Sequence, residues 1–398
     1  MTKIISVNAG SSSLKFQLYE MPAEKVLTSG IIERIGFEDA IFTIKVEGVK
    51  NTKVQPIQDH SLAVQLVLDA LITHKIVGSL DEIKGVGHRV VQGGEYFDKS
   101  TIVTDLVIER VEEISDMAPL HNPAALVGYH AFAKALPEAR HVMVFDTAFH
   151  QTMTPDIYMY PIPYEYYEDY KIRRYGAHGT SHFYVANRVA ELMERPIGDL
   201  NIITCHLGNG ASITAVEKGI SVNTSMGFTP LAGIMMGTRS GDIDPAIITY
   251  LMKKTGKSAE QIIDILNKKS GMLGISGISS DARDIEEAVN AGNERAILTR
   301  QMYANRIAQT IGSYFVQMGH VDAVVFTAGL GENDADVRRD VCIRISSALK
   351  IDIDYDLNAK SRGKDLKLST PSSEVEVWMI STNEELVIAR DTANLLGF

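Results

Sequence analysis

The chain opens on short apolar runs broken by turn chemistry. Lys3–Val7, Leu14–Tyr19, Val26–Glu33 and Ile41–Val46 alternate or cluster β-branched and aromatic residues, which predicts strands. Between the first two lies Asn8-Ala9-Gly10-Ser11-Ser12-Ser13, a stretch of turn formers. The period then changes. Leu62, Leu66, Ala70 and Thr73 recur at helical spacing and predict a helix over Ser61–Thr73. A strand at Gly85–Val91, helices at Leu106–Met117 and Pro123–Ala135, and a strand at His141–Asp146 complete the first part.

The second part repeats this opening. Asn201–His206 reads as a strand, Leu207-Gly208-Asn209-Gly210-Ala211-Ser212 as a small-residue turn and Ile213–Glu217 as the returning strand. Gly219 turns the chain into Ile220–Asn223. Helices follow at about Pro245–Lys254, Ala259–Lys268, Ala282–Asn290 and Glu294–Met318. Then come strand Asp322–Thr327, turn Ala328–Asn333, helix Asp334–Leu349, strand Glu374–Ile380 and helix Asn383–Leu396. Each half is a hairpin-led group of strands followed by alternating helices and strands, which predicts an α/β fold made by internal duplication. Sheets of this kind bind ligands at the carboxyl ends of their strands. With 398 residues the chain also exceeds what one core fills, so two domains are expected.

Composition narrows the function classes. Hydrophobic residues make up 45% and charged residues 22%, the balance of a globular chain. Lys+Arg number 39 against 50 Asp+Glu, a net charge of −11 that disfavours nucleic acid and requires a locally basic cleft for any anionic substrate. No apolar run is long enough to span a membrane, and Asn8 and Gly10 arrive too early for a signal peptide. The two cysteines, Cys205 and Cys342, make no disulfide framework, so a reducing cytoplasm is expected.

The predicted strand ends carry Asn8, Arg89, Asp146, His206, Gly329 and, a little beyond the last strand, Glu384. The turn Asn8–Lys15 is either a plain hairpin or a phosphate cradle with Lys15 as its point charge. A second such turn at 206–212 favours the cradle, since two hairpins can hold one polyphosphate. Gly329-Leu330-Gly331-Glu332-Asn333 opens a helix after a strand, but Asp334 stands where a dinucleotide fingerprint has its third glycine. Gly256-Lys257-Ser258 imitates the end of a P-loop, yet Leu251 occupies the required glycine position, which leaves a helix-to-helix turn. Asp146 either caps a turn or serves the site. Glu384 reads as N2 of the last helix, behind a Thr382–Glu385 capping box. Asn8, Asp146 and Glu384 are together oxygen donors suited to Mg²⁺. Arg89 and Arg239 sit among small residues, as either structural ion-pair partners or anion binders. The tyrosines 158, 160, 164, 166, 167, 170 and 175 crowd one acidic stretch and point to a subunit or domain interface.

The motifs Asn-Ala-Gly-Ser-Ser-Ser-Leu-Lys (8–15), Gly-His-Arg-Val-Val-Gln-Gly-Gly (87–94), Pro-Leu-His-Asn-Pro (119–123), Phe-Asp-Thr-Ala-Phe-His (145–150), Tyr-Gly-Ala-His-Gly-Thr-Ser-His (175–182), His-Leu-Gly-Asn-Gly (206–210), Gly-Thr-Arg-Ser-Gly-Asp-Ile-Asp-Pro (237–245) and Thr-Asn-Glu-Glu (382–385) resemble the acetate/propionate kinase family over almost the whole chain. The resemblance implies duplicated actin-like (ribonuclease H-like) domains, 1–149 plus 384–398 and 150–383, with the active site in the cleft between them. It implies Asn8 and Glu384 as Mg²⁺ contacts, with Mn²⁺ as a substitute, and ATP bound by Lys15, by His206, Leu207, Gly208, Asn209 and Gly210, by Asp281, Ala282 and Arg283, and by Gly329, Leu330, Gly331, Glu332 and Asn333. Arg89 and His121 would bind the acyl substrate, and Val91, Leu120 and Pro230 would line its methyl pocket. Asp146, His178 and Arg239 would be catalytic. Some relatives carry Phe where this chain has Ala177, which would leave the pocket permissive to propionate.

The implied reaction is ATP + acetate ⇌ ADP + acetyl phosphate in a homodimer. Acetate, with a pKa near ~4, is already a nucleophile at neutral pH, so Asp146 need not remove a proton. The alternatives are a propionate kinase of the same family and an actin- or Hsp70-like ATPase. Two arginines and a histidine at the site are more than a water nucleophile needs.

Overall fold

The computed structural model describes residues 1–398, which divide into two compact units, Met1–Phe149 with Asn383–Phe398, and His150–Thr382. The first unit holds an eight-stranded sheet of order β5-β4-β3-β2-β1-β6-β8-β7. Its strands are β1 (Thr2–Gly10), β2 (Ser13–Met21), β3 (Lys25–Glu33), β4 (Ala40–Val46), β5 (Val49–Gln55), β6 (Ile83–Val90), β7 (Thr101–Ile102) and β8 (Arg140–Phe145). β1 to β5 form an antiparallel meander, whereas β6 lies parallel to β1 and β8 parallel to β6. Its helices are α1 (His60–Thr73), α2 (Asp105–Glu113) and α3 (Asn122–Ala135), together with the closing helix Glu384–Leu396. α1 begins where the Asp59 carboxylate accepts from Leu62 N–H, and it buries Ala63, Val64, Val67, Leu68 and Leu71. That face joins Ile5, Leu14, Phe16 and Leu18 of the sheet in one core.

The second unit has a six-stranded sheet of order β11-β10-β9-β12-β14-β13. Its strands are β9 (Asn201–Leu207), β10 (Ala211–Glu217), β11 (Ile220–Thr224), β12 (Ala323–Thr327), β13 (Leu366–Lys367) and β14 (Glu376–Met379). β9, β10 and β11 are antiparallel, and β12 and β14 continue parallel to β9. The order β3-β2-β1-β6-β8 of the first sheet is therefore repeated as β11-β10-β9-β12-β14, and the duplicated α/β architecture is present. The helices are α4 (Pro155–Tyr158), α5 (Glu165–Tyr170), α6 (Gly179–Leu192), α7 (Ala246–Thr255), α8 (Ala259–Lys268), α9 (Gly271–Ser276), α10 (Ala282–Asn290), α11 (Glu294–Met318), α12 (Ala328–Asn333), α13 (Ala335–Leu349) and α14 (Tyr355–Lys360). No helix is long and apolar enough to cross a membrane.

Three local expectations change. β5 went unforeseen because its residues are exposed and mostly polar, so it carries no apolar alternation. Residues 328–333 are a short helix rather than a turn. The last helix is capped by Asn383, whose side chain accepts from Leu386 N–H at 3.1 Å, and not by a Thr382–Glu385 box. Glu384 is thus the first helical residue. Gly256-Lys257-Ser258 is the expected connection: Gly256 closes α7 at φ 70°, and Ser258 opens α8 in a capping box with Gln261.

Candidate active site

The first unit gathers its candidate residues around the ends of β1, β6 and β8. Asn8 faces Lys15 across the β1–β2 register, and Lys15 forms an ion pair with Glu385. The first turn of the closing helix is thereby tied to the hairpin. Tyr19 adds a hydroxyl bond to the Asn383 amide oxygen at 3.2 Å. Arg89, near the end of β6, donates from Nε and Nη2 to the two oxygens of Asp146 at 3.0 and 2.6 Å. Asp146 is wholly buried and follows β8. Arg89 thus has a structural partner, and that bidentate contact does not use Nη1. Burial works against the Arg89 charge, but the carboxylates of Asp146, Glu384 and Glu385 outweigh it and raise its pKa. Glu384 is crowded by protein atoms yet still reached by solvent. Burial pushes its pKa up to about 7, assisted by Asp146 and Glu385 and opposed by Arg89 and Lys15. Such crowding of carboxyl groups is a place where a cation lowers the electrostatic energy.

Val91 directly follows β6 and is half-buried, Leu120 is 62% exposed, and His121 stands at the N-cap of α3. Pro230 belongs to the second unit, where its carbonyl accepts from Arg239 Nη1 at 3.0 Å. Ala177 is 3% exposed and part of the second unit's core, with its carbonyl bonded to His150 Nε2 at 3.0 Å. The Ala177 methyl is packed within that core.

The second unit places a cavity of about 500 Å³ between the 209 turn and the starts of α10 and α12, lined by Asn209, Asp281, Ala282, Arg283, Leu330 and Asn333 among others. Asp281 caps α10 and pairs with the exposed Arg283. Gly208 and Gly210 close the β9–β10 turn through a Gly208 N–H bond to Gly210 O at 3.1 Å. A Cβ on Gly210 would meet the Arg239 guanidinium at 3.3 Å, so the turn and Arg239 touch. Arg239 is half-buried, which lowers its pKa. Leu207 and Gly331 are buried, and the Gly331 carbonyl already accepts from Arg338. Glu332 is engaged within the fold, accepting from Ala328 and Thr382 N–H.

His178 occupies the left-handed region at φ 57° immediately before α6, a conformation that a non-glycine residue holds only where its surroundings impose it. Its ring stacks on His206 at 4.1 Å. His178 Nδ1 contacts Ser212 Oγ at 2.9 Å, Ser212 Oγ contacts His182 Nε2 at 2.7 Å, and His182 Nδ1 contacts Thr204 Oγ1 at 2.7 Å. Burial, with His150 and His206 nearby, holds His182 far below the ordinary imidazole pKa. The sequence analysis gave His182 no role and did not single out Ser212 or Thr204. The available signal was the polar alternation of Thr204 and His206 against Ser212 and Thr214 in two otherwise buried strands. Arg338 was also missed. It is fully buried and donates to Gly331 O, Ser361 O, Asn358 O and Asn358 Oδ1, which ties α12 to α13 and α14.

Comparison with known proteins places these arrangements in a family. The model of the acetokinase family matches residues 3–390. The chain is 59% identical to an acetate kinase of Geobacillus kaustophilus over 99% of each chain, and 57% identical to one of Listeria monocytogenes over the same shares. Among solved structures it is similar to an acetate kinase of Porphyromonas gingivalis (TM-score 0.95, 44% identity, all of both chains). It is also similar to a propionate kinase of Francisella tularensis (TM-score 0.93, 39% identity, 99% of this chain and all of that one). With a family model spanning nearly its whole length and full-length relatives well above half identical, the chain belongs to the acetokinase family.

Proposed function

We propose that the protein phosphorylates acetate with ATP, giving ADP and acetyl phosphate reversibly by direct in-line transfer. The observation that carries this reading is the full-length similarity to acetate kinases. The nucleophile and the phosphoryl group are both anionic, so catalysis consists of positioning and charge cancellation. Asp146 fixes the Arg89 fork through Nε and Nη2, which leaves Nη1 for an oxygen of acetate. Acetate arrives ionised, so no general base is needed. Val91, Leu120 and Pro230 are assigned to its methyl group and His121 to the acyl substrate. The cavity at Asn209, Asp281–Arg283 and Gly329–Asn333 takes the nucleotide, and Lys15 and the 206–210 turn take its phosphates. Arg239 and His178 neutralise the oxygens of the transferring group.

The kinase reaction uses Mg²⁺, for which Asn8 and Glu384 supply an amide and a carboxylate oxygen; Mn²⁺ is a workable substitute. The fit rests on the crowded carboxyl groups of Glu384, Asp146 and Glu385. Asn8 and Glu384 would be the protein ligands of Mg²⁺, few enough for an ion that keeps several waters. When bound, the ion would offset the negative charge of the phosphates. Tyr164, Tyr166 and Tyr170 are exposed on α5 and its approach, and with Ile162 they form the face of a homodimer.

The reaction is tested by trapping with hydroxylamine. Acetyl hydroxamate should form from ATP and acetate, and release of phosphate alone would overturn the reading in favour of an ATPase. A kcat/KM series over formate, acetate, propionate and butyrate decides against the propionate-kinase alternative if acetate leads it.

A further inference from the structure

Arg239 is oriented by a loop that has little hold on itself. Its Nη1 donates to the Pro230 carbonyl at 3.0 Å and lies 3.7 Å from Met236 Sδ. Both acceptors are neutral, so they leave the guanidinium charge uncancelled, whereas Asp146 grips Arg89. Where Arg239 points is therefore set by where Pro230 stands. Pro230 has no N–H with which to fix itself. Within the loop, Gly227 N–H reaches Thr229 O and Leu231 N–H reaches Thr229 Oγ1, each at a long 3.3 Å. The shorter bonds come from outside. The Gly227 carbonyl accepts from Tyr175 N–H at 3.0 Å and from Gly176 N–H at 3.2 Å. Phe228 N–H donates to Tyr160 Oη at 2.9 Å, across 68 residues of sequence. A Cβ on Gly227 would lie 2.2 Å from that Oη, so the phenol end sits directly on the loop backbone. Burial raises the Tyr160 pKa, which keeps this hydroxyl neutral at ordinary pH.

We propose that Tyr160 is a positioning residue for phosphoryl transfer: its hydroxyl holds the Phe228 N–H, and through that loop the Pro230 carbonyl that aims Arg239. Tyr160 needs no contact with substrate. The contacts run from Tyr160 Oη to Phe228 N–H, along two residues of backbone to Pro230 O, and from there to Arg239 Nη1. The guanidinium then lies against the Gly210 turn. All of these residues belong to the second unit. A misplacement of about 1 Å at a group that meets the transition state can cost up to about 10²-fold in rate, so one hydrogen bond behind Arg239 is enough to matter. The tyrosine-rich stretch thereby divides in two. Tyr164, Tyr166 and Tyr170 are exposed, whereas Tyr160 is half-buried and spent on the loop.

The positioning role rests on the proposed part of Arg239 in the kinase reaction, whereas the hydrogen bond does not. The experiment separates them. Tyr160→Phe removes the hydroxyl and keeps the ring. In the full-length protein, hydrogen exchange at the Phe228 amide should accelerate about three- to tenfold, as expected for the loss of one hydrogen bond. Acetate-dependent kcat should fall by a similar factor. KM for ATP should stay within about twofold of wild type, since other segments line the nucleotide cavity.

A double-mutant cycle with Arg239→Ala reads the route. Acting through Arg239, Tyr160→Phe should add nothing in that background, so that Arg239→Ala and the double variant agree in kcat within about twofold. Losses that multiply, or a Tyr160→Phe enzyme with the kcat of wild type, overturn the positioning role. An unchanged exchange rate at the Phe228 amide overturns the hold itself. A wild type that phosphorylates no acetate, with Phe228 exchange still accelerated in Tyr160→Phe, removes the kinase reading and this role with it and leaves only the hydrogen bond.

Discussion

At the scale of single residues, the site depends on side chains whose neighbours decide their charge. Arg239 is held by the Pro230 carbonyl against the Gly210 turn, where it can answer charge that spreads in the transition state. Arg239→Ala should lower kcat by about 10²-fold or more, with a smaller effect on KM. A kcat within threefold of wild type and a raised KM would assign it to ground-state binding instead. Glu384 contributes little to its helix, about 0.3–1 kcal/mol for a carboxylate in the first turn. Glu384→Ala should therefore displace the Mg²⁺ activation curve to higher concentration while the melting temperature hardly moves. An unchanged curve beside a lowered melt would make the residue a helix-stabilising one only.

Buried imidazoles also set a pH window. Burial lowers His88 and His182 well below the ordinary value and His141 to about 4. Above pH ~6.5 these rings are neutral in both folded and unfolded chains, and the difference costs nothing. As pH falls through that value the unfolded chain takes up protons first, so stability declines until the folded-state values are reached. Glu384, raised to about 7, acts in the opposite sense, because the folded state binds its proton more tightly. In a Glu384→Gln background the urea midpoint should consequently fall between pH 7 and pH 5, by roughly 1–3 kcal/mol of stability. A flat profile there would mean that the rings are solvated.

At the scale of elements, two contacts carry more than their sequence suggests. Arg338 lies in a helix where an arginine ordinarily points to solvent, yet it is the shared donor for four acceptors around α12 and α14. Burial first, then Arg362, lowers its pKa to about 10. Arg338→Leu would leave buried carbonyls without donors, at roughly 1–3 kcal/mol each. It should lower the melting temperature and raise KM for ATP through the loosened Gly331 segment. A variant that melts lower but keeps its KM would confine Arg338 to stability.

Gly87 in β6 shows the same economy. A Cβ there would lie 2.3 Å from Thr392 Oγ1 and 2.5 Å from Ile388 Cγ2 of the closing helix. Gly87→Ala should cost about 1–3 kcal/mol by overpacking, measurable in a thermal melt. No loss would show that the helix shifts freely over the sheet.

At the scale of the whole molecule, the net charge of −11 is accompanied by one exposed aromatic group. The exposed tyrosines of α5 are grouped rather than scattered, and Tyr158 and Arg173 behind them are fixed by a cation–π contact of 3.6 Å. Replacing Tyr166 and Tyr170 together by glutamate should give a monomer by sedimentation at concentrations where wild type is a dimer. A monomeric wild type would remove the interface.

Sequence alone determined what depends on local periodicity and on long motifs. The helices from α7 to α8, α10 and α11 lie almost where the spacing of apolar positions put them, because an amphipathic face repeats whatever it packs against. Duplication was visible for the same reason, since a hairpin-led strand group has its own turn chemistry. β5 and the short helices at 155–158 and 165–170 escaped, because exposed strands and single helical turns have no apolar period to read. The motifs named the candidate residues but not their partners. That Asp146 grips Arg89, that Asn383 rather than Thr382 caps the last helix, that Ala177 is packed and that Arg338 is buried were decided by the tertiary structure. Hydrogen-bond polarity and burial arise between residues distant in the chain, and no local spacing encodes them.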